Sequence, residues 1–288
     1  MQASHMAAQA FQQLCLRCSW KLRDPAAFGW LLEAALGALQ QQQQQQHGSG
    51  GSGGSGASLA IEERQLVVEG LARVAAGLRG QQLLDAAAHL TQPFVQQAAA
   101  AAAAGANGSA AAPDAGARRS LADSLRLLAS ALRHLAPVGD EQGELGSQPA
   151  AQVLAQAGPT LQLVAESPAW QADREAVAAV VEVWRRAVGT ARQHGLQLVM
   201  AALPAMSALF AATAVPSCLD VVAEGLEMQY EQPGVAAAAL HALGAACDAA
   251  LPTLQVHSSV PLPGRCAGLP ACLHECVLLS YLALHHPL

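Results

Sequence analysis

Two-helix units stacked into an all-α solenoid are what this sequence predicts, and three observations point there. The first is a recurrence. Gly158-Pro159-Thr160-Leu161, Leu203-Pro204-Ala205-Met206 and Leu251-Pro252-Thr253-Leu254 each set a proline two residues before a large aliphatic side chain, at intervals of 45 and 48 residues. The second is what lies between: a further helical segment in each interval, Ala172 to Val188 and Pro216 to Tyr230, so that the unit is a helix pair. The third is composition. Hydrophobic residues make up 52% of the chain and aromatics 3%, so its core must be built from Ala, Leu and Val, whose small side chains let helices approach closely. A period close to the roughly 40–47 residues of HEAT and armadillo repeats is the mark of HEAT-like helix pairs wound into an ARM-type superhelix. Each proline removes one backbone donor and bends the helix that carries it.

The elements follow in order. Met6 to Leu22 reads as one helix with the stripe Phe11, Leu14, Cys15, Cys18 and Leu22, and Pro25 to Gln40 as the next, opened by Pro25 and capped by Asp24. Residues 1–39 are thus HEAT-like helices. Seven glutamines and a Gly/Ser tract make 40–58 a low-complexity linker. Residues 59–97 form a helix pair. Its first member carries Ile61, Leu66, Val67, Leu71, Val74 and Leu78 inward, with Glu62, Glu63, Arg64, Glu69 and Arg73 toward solvent; its second carries Leu83, Leu84, Leu90 and Phe94, with Pro93 late in the helix. Residues 98–119 are an Ala/Gly-rich insertion whose first half can extend that helix. HEAT-like repeats occupy 120–255, starting with a helix capped by Ser120, with Asp123 three residues on and the stripe Leu121, Leu125, Leu128, Leu132 and Leu135. Residues 256–288 form a divergent tail rich in proline and glycine at its start.

Several chemical motifs match in form alone. The dinucleotide-loop spacing of Gly48, Gly50 and Gly53, and the nucleophile-elbow pattern in Gly50 to Gly54, follow polyglutamine where each requires a strand. Cys15 and Cys18 form a CxxC on a helix without the βαβ setting of a redox site, which makes them packing residues. Cys266, Cys272, His274 and Cys276 are soft ligands close enough to hold zinc, but their spacing is that of no recognised finger, and an unpaired cysteine-rich helix is the plainer reading. No acid-base pair, phosphate loop or metal-ligand helix survives, so the sequence predicts neither an enzyme nor a cofactor.

Charge and hydropathy narrow the partners. A net charge of −6 argues against a general nucleic-acid binder and against an organellar helical-repeat RNA binder. Gly195 to Leu219 has no charged residue, yet its central proline, Gln197 and Ser207 and the absence of an aromatic belt favour a buried helix over a membrane span. Arg17, Lys21 and Arg23 before the first acid, Asp24, have the composition of a transit peptide, while the same segment has the stripe of a repeat helix. Seven scattered cysteines fit a reducing compartment.

Three stretches, Ala7 to Leu22, Leu66 to Gln97 with its GLARVAAGL core, and Pro216 to Tyr230, resemble the importin-β superfamily of nuclear transport receptors, particularly its transportin-SR and importin-13-like branch. The resemblance runs from about Ala7 to Gln255 and is to a central-to-C-terminal portion of much longer proteins. It implies a HEAT superhelix that carries protein cargo between cytoplasm and nucleus, with Ran GTPase and nucleoporins as partners of the full-length proteins. The main Ran-binding surface of the family lies in N-terminal repeats, so no Ran site is carried over. Cargo recognition in that branch uses an arginine-rich helix that meets phosphorylated Arg-Ser segments, and the corresponding helix here is Ala172 to Arg192, bearing Arg174, Arg185, Arg186 and Arg192. Positions 174, 185 and 192 fall on one helix face. Glu182 is placed to pair with Arg186, and an ordinary solvated face is the competing reading of these residues. A HEAT-repeat interaction scaffold with no transport role is the alternative function.

Overall fold

The computed structural model describes residues 2–48, 59–106, 113–136, 148–191, 195–229, 231–232 and 234–258. Among the described residues the regular structure is twelve helices: α1 (Gln2–Arg17), α2 (Ser19–Leu22), α3 (Pro25–Gly48), α4 (Ile61–Ala75), α5 (Gly80–Ala106), α6 (Ala115–Leu132), α7 (Pro149–Glu166), α8 (Pro168–Gln171), α9 (Arg174–Ala191), α10 (Leu196–Thr213), α11 (Ser217–Gln229) and α12 (Val235–Ser258). No strand occurs among the described residues, so the protein is all-α as the sequence predicts. The chain divides into two units, Met1–Leu198 and Val199–Leu288.

In the first unit α1, α4, α6 and α9 pack side by side in that order, and α3, α5 and α7 form a second row against them. Long helices that follow one another in the chain therefore alternate between rows, and the strongest cross-row packing joins α5 to α6 and α7 to α9. Those pairs each begin with a proline-bearing helix, since Pro93 lies within α5 and Pro159 within α7. The stripe Leu121, Leu125, Leu128, Leu132 and Leu135 is wholly buried, and so are Leu127 and Ala131 on other faces of α6. This helix is covered by α4, α5 and α9 at once, which a two-helix seam would not do. Each leucine so buried contributes about 1.5–3 kcal/mol relative to exposure.

Two close approaches lock the rows. A Cβ on Gly70 would stand 3.3 Å from the Sγ of Cys15, so α1 and α4 meet through a glycine. On the other row, α8 opens with Pro168 and buries Trp170 against the end of α5. The indole Nε1 donates to the Ala102 carbonyl at 3.1 Å, and its ring lies over Gly105, where a Cβ would come within 2.7 Å of Cε2. The Ala-rich end of α5 is therefore core, with Ala98, Ala101 and Ala102 buried.

The second unit is built from α10, α11 and α12. α10 meets α11 where a Cβ on Gly225 would lie 3.1 Å from Val199 Cγ1, and it meets α12 through Ser207, whose hydroxyl donates to the Ala242 carbonyl at 2.6 Å. Pro204 lies inside α10, and the span of α12 takes in Pro252. By length and composition α10 is the one helix among the described residues apolar enough to cross a bilayer. The expected burial is partial, covering 33% of its apolar window, with Val199, Leu203, Met206 and Leu209 inside and Met200 exposed.

Several local expectations need correction. The first helix breaks at Cys18 and resumes as α2. The polyglutamine is helical from position 40, since α3 continues to Gly48: glutamine is a fair helix former and extending an existing helix carries no nucleation cost. α5 and α6 take up most of the 98–119 insertion, and helix extends to Ser258 beyond the expected boundary at 255. The cap of α6 is Asp114, which accepts from the Ala117 amide at 2.7 Å, while Ser120 sits inside the helix. Of the α4 residues expected in solvent only Glu62 is exposed, because α4 is flanked by α1 and α6 and needs partners for its polar groups. Glu63 accepts from Ser4 at 2.7 Å and from the Ala60 amide at 2.9 Å, and the Ser4 hydroxyl holds its carboxyl below the usual range. Glu69 accepts from Gln12 at 2.8 Å.

Candidate functional site

In the first unit the N-terminal ends of α4, α6 and α9 open onto one cleft of about 780 Å³, within the size range of small-ligand pockets. Arg64 enters it from the first turn of α4, Arg118 and Arg119 from the start of α6, Arg126 two turns further on, and Arg174 from the first position of α9. Asp123, Asp173 and Glu175 are the acids of the lining. Five guanidinium groups face three carboxylates, so the cleft has two positive charges in excess inside a chain whose net charge is −6. Helix N-termini add partial positive charge of their own.

The acids are already engaged. Glu175 takes Arg126 at 2.7 Å, Asp123 takes the same arginine at 3.7 Å, and Asp173 takes Arg118 at 3.8 Å while its other oxygen caps α9 through the Glu175 and Ala176 amides. Among the described residues Arg119 and Arg174 have no carboxylate within ion-pair distance. Arg64 is 5% exposed, and Asp123, at 4.0 Å, is its one carboxylate partner among the described residues. Its Nε has no acceptor among the described residues. Burial pushes the Arg64 guanidinium down, with Asp123 opposing, and pushes the Asp123 carboxyl up, with Arg64, Arg126 and Arg119 opposing. A buried cation with a distant counterion and an orphan donor is a costly arrangement for a fold to maintain. The ionisable groups of the lining are these five arginines and three carboxylates, and the excess of guanidinium suits it to hold an anion.

Of the four arginines expected to meet cargo, the three among the described residues do not gather at one site. Arg174 belongs to the cleft, whereas Arg185 and Arg186 both clamp Glu182, through Nε at 2.9 Å and 2.7 Å. Arg192 lies outside the described residues, as do the glycine-serine tract from 49 and the Cys266, Cys272, His274 and Cys276 group. Among the described residues no three His, Cys, Asp or Glu side chains gather as a metal site. Cys15 is buried with its thiol pushed up to about 11, by burial first and then by Cys18, as suits a packing residue.

Sequence reading missed Arg64, Arg118, Arg119, Arg126, Asp123 and Asp173 as a group. A signal was present: arginines crowd the N-terminal ends of three helices, where the macrodipole disfavours cations. The chain matches no protein family and no curated protein sequence.

Proposed function

We propose that the alternating two-row packing is a HEAT-type solenoid and that the chain works as a protein-binding array of the karyopherin-β kind, a portion of a nuclear transport receptor that holds protein cargo. The packing of each long helix on a row neighbour and on a cross-row partner, with proline recurring in α5 and α7, is the observation that carries this reading. Apolar surface supports it: Met6, Trp20 and Trp30 are each more than 60% exposed, and aromatic side chains are favoured at protein interfaces. Transport itself rests on the sequence resemblance, which gives cytoplasm and nucleus as compartments, Arg-Ser-rich protein as cargo, and Ran GTPase and nucleoporins as partners in the longer family setting. On this reading α10 is a packing helix and not a membrane span.

The test is direct titration of phosphorylated and unphosphorylated Arg-Ser peptides against the full chain by fluorescence anisotropy. Phosphate-dependent binding that weakens with salt supports a cargo carrier. Failure of both peptides leaves the second reading, an interaction scaffold without a transport role, which the Glu182 clamp on Arg185 and Arg186 favours.

A further inference from the structure

We infer that the cleft at the N-terminal ends of α4, α6 and α9 is a binding site for a phosphate dianion, free or as the monoester of a small molecule, held by Arg64, Arg119 and Arg174. The inference does not depend on the transport reading. It rests on three independent features: the excess of guanidinium over carboxylate in one cleft, the convergence of three helix N-termini on it, and the nine-tenths buried Arg64 with an unpartnered Nε in its wall. None would be expected of a cluster that merely neutralises itself. Arg118 and Arg126 are turned to acids of the lining and act as its frame, which leaves Arg119 and Arg174 at the surface and Arg64 at depth.

The chemistry favours a tetrahedral dianion such as phosphate over a carboxylate. Guanidinium groups present parallel N–H donors that match two oxygens of a phosphate, and three of them can serve a tetrahedral dianion from different sides. A carboxylate offers two oxygens and one charge, half of what the cleft has in excess. The volume of about 780 Å³ is well above that of a single ion, so it admits a monoester with a small organic group.

The experiment titrates inorganic phosphate and O-phosphoserine into the full chain by calorimetry, with sodium chloride at matched ionic strength as control. Both phosphates are expected to bind and chloride is not. The double variant Arg119→Gln with Arg174→Gln touches only exposed, unpaired side chains, so its circular dichroism and unfolding midpoint in chloride should equal those of the wild type while affinity drops roughly tenfold or more. Arg64→Met should lose binding too, but as a buried substitution it counts only if the chain stays folded. Arg185→Gln with Arg186→Gln, on the Glu182 clamp, should leave affinity unchanged. Phosphate binding that survives loss of Arg119 and Arg174, or that falls equally on loss of Arg185 and Arg186, overturns the site, as does no binding at all. Binding of both phosphates without response to a phosphorylated Arg-Ser peptide upholds this site and removes the cargo reading. Peptide binding that persists in the Arg119/Arg174 variant, with neither small phosphate bound, does the reverse.

Discussion

Gly105→Ala should destabilise the protein even though alanine is the better helix former, and most of that cost should vanish when Trp170 is removed. At Gly105, the penultimate residue of α5, the exchange gains at most about 1 kcal/mol from propensity. Against this, the new methyl would stand within 2.7 Å of Cε2 of an indole that is fully buried and tied by its Nε1 to Ala102. The ring has no open side to move into, so the overpacking penalty belongs at the upper end of the usual range of about 1–3 kcal/mol. The net expectation is a loss of about 1–2 kcal/mol. Trp170→Ala alone should cost about 3–5 kcal/mol through the cavity it leaves. With the ring gone, the methyl still meets the Cβ of Pro113 at 3.0 Å, so Gly105→Ala should become close to neutral, which makes the coupling between positions 105 and 170 about 1–2 kcal/mol. The assay is urea unfolding of the four proteins of the cycle by far-UV circular dichroism, comparing midpoints at constant m. A stabilising Gly105→Ala in the presence of Trp170, or the same shift in both backgrounds, would refute the account of how α8 seats on α5.

Three further outcomes are expected. The His134 Nε2 faces the Arg73 guanidinium at 3.2 Å, and burial first, then Arg73, Arg133 and Arg186, push its pKa from 6.5 to about 4; Glu69 lies 3.6 Å away but is shared with Gln12 and Arg73. Between those pH values the unfolded chain takes up a proton that the folded ring refuses, so stability present above pH 6.5 is lost as pH falls toward 4, by up to about 3 kcal/mol. His134→Gln should remove that component from the pH dependence of unfolding, and a ring that titrates near 6.5 by NMR would contradict it. Burial pushes the Cys218 thiol up to about 12 and Cys15 to about 11, so iodoacetamide at pH 8 should spare both until denaturant is added, as mapped by peptide mass spectrometry. Ala214 follows α10 at φ 54, a left-handed conformation that glycine adopts without penalty, so Ala214→Gly should raise the unfolding midpoint by the equivalent of about 1 kcal/mol; an unchanged or lower midpoint would count against that strain.

What the sequence made legible is periodic and local. The leucine stripe of α6 is buried at every expected position, Cys15 packs, and Pro93, Pro159 and Pro204 sit inside helices as their apolar surroundings suggested. What it hid depends on partners distant in the chain. Arg64 reads as a solvent-facing charge until Asp123, 59 residues later, is brought beside it, and Trp170 gives no hint that Ala102 and Gly105 await it on α5. Composition misled where polyglutamine was equated with irregular backbone, since that run extends a helix that already exists, as the alanine run of α5 was expected to do. Ser120 and Asp114 both had the chemistry of a cap, and what set them apart was where the helix begins: α6 starts at Ala115, one residue after Asp114.

The arginine cleft in an acidic chain sets two opposed fields at two ranges. Far from the protein an approaching anion responds to the net charge of −6 and is repelled; within the cleft it responds to the guanidinium excess and is held. The two meet over roughly one Debye length, about 10 Å at 0.1 M salt. Added salt therefore acts in opposite senses on the two halves of the encounter: it speeds arrival by screening the distant repulsion, and it shortens the stay by screening the local attraction. An anion bound here should show association and dissociation rates that both rise with ionic strength, where a uniformly basic surface would show arrival slowed.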